Sequence, residues 1–120
     1  MIDLAGARPL LEAALSYGGG THSYEDVVAM IDRKEAIFWP GPNSVIVTQI
    51  QEHPQTRTLH FFLAGGNSAE LEVMVPGILA WAKAERGCTA ATMTGRKGWE
   101  RSFLTRRGWK TTLVVMTKEL

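Results

Sequence analysis

Thr58-Leu59-His60-Phe61-Phe62-Leu63-Ala64-Gly65-Gly66-Asn67-Ser68 is the stretch on which the fold turns. Residues 58–64 are bulky and mostly apolar, which predicts a strand, and the two glycines close it. From Ser68 the apolar period changes. Leu71, Met74, Val75, Ile78, Leu79 and Ala82 fall on one helical stripe, which predicts a long helix to Arg86. Asn67 reads as its N-cap and Glu70 as the returning partner of a capping box. Pro76-Gly77 should kink that helix, and Gly87 suits its C-terminal turn. Cys88 to Thr94 is then expected as a buried strand. A strand, a helix of this length and a second strand make a crossover, so the two strands should be parallel neighbours.

Outward from that unit, Ser44 to Gln51 and Ala36 to Trp39 read as strands separated by Pro40-Gly41-Pro42-Asn43. With the turn at 52–57 they predict an antiparallel meander leading into the central strand. Two helices precede it. One covers Arg8–Leu15, with Pro9 in its first turn. The other starts at Ser23, capped with Asp26 three residues on, and ends near Lys34. Downstream, a short helix is expected over Trp99–Arg106 and a last strand over Trp109–Thr117. The whole predicts one α+β domain, residues 1–120, with a mixed central sheet flanked by helices.

At 120 residues, 45% hydrophobic and 21% charged, the chain can bury a core without disulfide staples. Its formal net charge of +1 provides no global field toward nucleic acid or membrane. Cys88 is the lone cysteine and reads as a small, reduced core residue. Neither a signal-peptide pattern nor a run of membrane-span length is seen. A cytoplasmic location, in a host cell or on a virion, is the expectation.

The element order, the Gly108-Trp109 pair and the closing Lys118-Glu119-Leu120 resemble the GNAT N-acyltransferases. Gly95-Arg96-Lys97-Gly98-Trp99-Glu100-Arg101 adds a narrower likeness to small GNAT-like proteins of phages and prophages. The resemblance implies a GNAT-like sheet and an acetyl-CoA site in the turn between central strand and long helix. That site would fall on Leu63, Ala64, Gly65, Gly66, Asn67 and Ser68, with Arg96 and Lys97 beside it.

The chain departs from the family pattern at two places. The basic residue of the phosphate-binding turn is missing, and Asn67 with Glu70 is expected to consume amides that a diphosphate would need, leaving none for it. Leu104 stands where the family places a tyrosine that protonates the leaving thiolate, and leucine carries no proton. Tyr17 and Tyr24 are remote in sequence. His60, expected on one face with Phe62 and Ala64, is the candidate base, since an imidazole titrates near neutrality. A packed core histidine is the competing reading.

Other features are weighed the same way. Arg96, Lys97, Arg101, Arg106, Arg107 and Lys110 face a single acid, Glu100, with Trp99 and Trp109 among them. Such a cluster fits a weakly held nucleic-acid backbone, or a solvated helix face whose tryptophans anchor the core. Gly18-Gly19-Gly20 is a flexible connection, in a region that lines the acceptor site in active GNAT proteins. His22, His53 and His60 lack metal-site spacing, so no metal is expected. Trp39 marks either a partner surface or a covered core edge. Three functions follow from these readings. The first is a non-catalytic GNAT-fold protein, without cofactor, acting in protein binding or virion assembly. The second is a divergent acetyl-CoA-dependent N-acetyltransferase, and the third a nucleic-acid-binding module.

Overall fold

Side chains that the sequence supplies fix where the helices begin. In the computed structural model, which describes residues 1–120, helix α1 spans Arg8–Leu15 and α2 spans Tyr24–Asp32. Ser23 Oγ accepts from the Asp26 amide at 3.1 Å, and the Asp26 carboxylate accepts from the Ser23 amide at 2.8 Å. That is the expected capping box, and its hydrogen bonds hold the Asp26 pKa below the ordinary carboxylate value. Helix α3 covers Ser68–Arg86 and ends at Gly87, whose φ of 66° is left-handed. Pro76 and Gly77 both lie on its exposed side, and the helix continues through them.

Four strands form one sheet in the order β1 (Ile37–Pro40), β2 (Val45–Glu52), β3 (Arg57–Gly65) and β4 (Ala90–Met93). The first two pairings are antiparallel and the last is parallel, as the crossover requires. A 3-10 turn at Lys97–Arg101 and helix α4 at Phe103–Arg106 follow. No helix is long and apolar enough to cross a membrane.

Each face of the sheet carries its own core. Ile46, Leu59 and Phe61 meet Leu71, Val75 and Ile78 of α3, with Phe103 and Leu104 closing the end. On the other face Val45, Val47 and Leu63 meet Leu11 of α1 and Val27 and Met30 of α2. Burying such side chains contributes about 1.5–3 kcal/mol each, so both faces are needed.

The alternation along β3 is not uniform. Val47 pairs with Leu63 and Thr48 with Phe61, which leaves Phe62 as an extra residue in the strand. This bulge shifts the period by one. Phe62 and Leu63 both reach the α1/α2 core, whereas Ala64 packs toward α3. The single face expected for His60, Phe62 and Ala64 is therefore broken between Phe62 and Ala64.

Three further expectations are corrected in the C-terminal third. The strand after α3 is shorter than Cys88–Thr94 and half exposed; Cys88 is buried just ahead of it. The helix expected over Trp99–Arg106 is divided at Ser102, whose hydroxyl accepts from the Leu104 amide and caps a fresh start. Residues 109–120 form no strand in the single chain, because no neighbouring backbone pairs with them.

Candidate functional site

Strands β3 and β4 are joined only where Thr58–Phe61 face Ala90–Met93. Beyond Phe61, β3 continues to Gly65 with β2 on one side and no strand on the other. The two strands part there, and a cleft of about 530 Å³ opens between them. This is within the roughly 300–1,000 Å³ of small-molecule sites. Gln49 and His60, opposite each other in the register, lie in it together. Phe62 to Gly66 make one wall, Thr94 to Arg96 with Trp99 the other, and Leu10, Ala13, Ala14 and Tyr17 come from the α1 side.

His60 is half-buried, and its Nδ1 lies 2.9 Å from Thr92 Oγ1 on β4. Burial pushes its pKa below the ordinary 6.5, since a desolvated imidazolium is disfavoured. At neutral pH the ring is therefore uncharged and able to accept a proton.

The turn entering α3 is shaped by its neighbour, the β1–β2 turn. A side chain at Gly66, where φ is 121°, would put its Cβ 2.5 Å from Ser44 Oγ. Only glycine lets the two turns touch. Ser44 Oγ accepts from the Asn67 amide at 2.9 Å, and Asn67 Oδ1 accepts from the Glu70 amide at 3.1 Å. Glu70 does not return to Asn67. Its carboxylate accepts instead from the Asn43 amide at 2.8 Å, so the reciprocal capping box does not form. The amides of Ser68 and Ala69 donate to no group of the chain. The expectation that this turn leaves no amide free is thus corrected.

Of the residues singled out from sequence, His60, Leu63, Ala64, Gly65, Gly66 and Arg96 line one cleft. Asn67 and Ser68 sit just past it at the start of α3, and Lys97 lies outside its walls. Tyr17, remote in sequence, nevertheless lines the same cleft. The Arg96 guanidinium lies 4.4 Å from its ring centre, across the cleft mouth, and the glycines after Tyr17 were the available signal. Tyr24 is elsewhere, its hydroxyl donating to the Leu4 carbonyl at 2.9 Å. Leu104 is buried in the α3-side core.

The basic cluster does not stay together. Arg106 and Arg107 both pair with the Glu72 carboxylate on α3, at 3.3 and 3.0 Å, while Arg96 stays at the cleft. Trp99 meets Phe103 edge-on at 6.3 Å and Trp109 meets Phe61 at 5.7 Å. Trp39 donates from Nε1 to Thr48 Oγ1 at 2.9 Å and packs on Trp81 at 5.1 Å, so it covers a core edge. The histidines do not gather with acids or Cys88 into a metal-binding group.

The arrangement matches solved structures closely in shape. An acetyltransferase of Trypanosoma brucei superposes with a TM-score of 0.70 at 12% identity, over 98% of this chain and 93% of its own. The chain has the fold of the GNAT-type acetyltransferases. A probable acetyltransferase also gives 0.70, at 10% identity over 98% of this chain and 90% of that one. A tetramutant of a Bacillus halodurans protein gives 0.61, at 12% identity over 85% and 77%. No family pattern and no curated protein matches the GNAT-fold chain by sequence.

Proposed function

We propose that the cleft between β3 and β4 takes the thioester arm of an acyl-CoA and that the chain transfers the acyl group to an amine. The observation that carries this reading is the parting of β3 from β4 just beyond Phe61, with half-buried His60 lining the cleft one residue before the strands part. The fold neighbours named acetyltransferases support it. An extended, amide-bearing arm suits the backbone edge of Phe62–Gly65, as an added strand would. The unengaged Ser68 and Ala69 amides at the positive end of α3 suit a phosphate, and Arg96 adds a cation at the rim. Glu70 lies in the same first turn, with its carboxylate turned onto the Asn43 amide of the neighbouring β1–β2 turn.

A bound thioester supplies an activated carbonyl. His60, oriented by Thr92, takes the proton that the amine loses as its nitrogen bonds to that carbon. Tyr17, the phenol on the cleft wall, is the proton donor this chain offers the departing sulfur in place of Leu104. A second reading, a non-catalytic binding or assembly protein, is favoured by buried Leu104 and by the Glu70 carboxylate near the turn.

Calorimetric titration with acetyl-CoA and with CoA separates the two, followed by thiol release across a panel of amines. Saturable binding is expected, and His60→Ala should lower turnover by about 10²–10⁴-fold while binding persists. Absence of binding by both acetyl-CoA and CoA leaves the second reading.

A further inference from the structure

Two features remain once the cleft is explained, and each lacks what the other has. The first is the C-terminal segment. Residues 110–120 lie exposed without regular structure, and Val114, Val115 and Met116 are 81%, 78% and 90% exposed. Yet Thr111–Thr117 contains no glycine, proline or charge and is mostly β-branched, which is strand composition. Left bare, such a segment is an aggregation hazard.

The second feature is the outer edge of β4, last in the sheet. Its row of backbone donors and acceptors has no partner, and Thr89 to Thr94 holds neither charge nor proline to blunt it. The opposite edge differs: β1 ends on Pro40, which has no N–H to offer.

The tail cannot be treated as a loose end, because its root is fixed. The Trp109 amide donates to the Leu104 carbonyl at 3.0 Å, and Thr111 Oγ1 donates to Glu100 Oε2 at 2.6 Å. From that anchor the segment makes no pairing with its own β4, which is joined to β3 alone. We propose that Thr111–Thr117 is a strand donated to a second copy of this chain, where it lies along the free edge of β4, and that the two copies exchange these segments reciprocally. A two-fold exchange is self-limiting and covers both bare edges and both apolar tails at once. Nothing in it depends on the acyl-transfer reading.

Light scattering on the full chain, combined with hydrogen exchange, tests the exchange. The expected particle has twice the 13.2 kDa chain mass, with slow exchange across residues 111–117. Doubly substituting Val114→Glu and Val115→Glu should give a monomer with a fast-exchanging tail, a small loss of strand signal and an unchanged helical signal in circular dichroism, since both side chains are exposed in the single chain. Ala90→Lys, on the receiving edge, should likewise raise the monomer share. A monomeric wild type overturns the proposal, whether its tail exchanges fast or is protected by folding back on its own edge. So does a dimer that survives both sets of changes.

Discussion

The two halves of β3 are built for different ends. Arg57 to Phe61 runs between β2 and β4, and its Leu59 and Phe61 are both buried in the core on the α3 face. Phe62 to Gly65 has β2 alone for a neighbour and turns its other edge to the cleft. The bulge at Phe62 is the border. Strand order and burial make the first half a structural beam, and loss of a neighbour makes the second half available to a ligand. On the proposed reading, the site begins where pairing stops.

Leu59→Ala attacks the beam, and the largest effect is expected there. Leu59 is 1% exposed, and removing such a side chain costs roughly 2–5 kcal/mol. Urea unfolding measures it. A loss much smaller than that would mean the first half of β3 is as open as the second, and the contrast would fail.

At the far end the expected effects are smaller, and of a different kind. Gly66→Ala meets both a left-handed backbone and Ser44 Oγ, so it should cost about 1–3 kcal/mol. Asn67→Ala removes one cap and should cost about 1 kcal/mol. Both act on the turn that carries the Ser68 and Ala69 amides, so each should weaken acetyl-CoA binding by more than its stability loss alone explains. Calorimetry beside unfolding on the same variants separates the two effects.

Much of this design can be read from the residues, and the failures share a cause. The bounds of helix α3, from Asn67 to Gly87, are legible in the sequence because capping and left-handed closure are local properties of those residues. The parallel β3–α3–β4 unit followed from helix length alone. The bulge did not follow, because His60-Phe61-Phe62-Leu63-Ala64 is too uniformly apolar for a period of two to show a missed step. Tyr17 reached the cleft through tertiary packing of α1, which no spacing rule encodes. The local motif points Glu70 to Asn67, whereas its partner in the fold, Asn43, belongs to a turn distant in sequence. The tail shows the converse: Thr111–Thr117 has strand composition, but a strand requires a partner and the single chain provides none.

His60 sits next to the border and offers the smallest and sharpest test. Burial holds its folded pKa below the ordinary 6.5 that it regains on unfolding. As pH falls through 6.5 the unfolded chain takes up the proton first, so this group favours unfolding increasingly until the folded pKa is reached. Above 6.5 both states carry the neutral ring and the contribution to the pH slope vanishes. His60→Gln, which does not titrate, should therefore lose less stability than the wild type when pH is lowered through that window, as measured by paired unfolding curves. Identical pH slopes would mean that water reaches His60 as freely in the folded chain as in the unfolded one. The ring would then belong to an open surface, and the border at Phe62 would separate two kinds of pairing without enclosing a site.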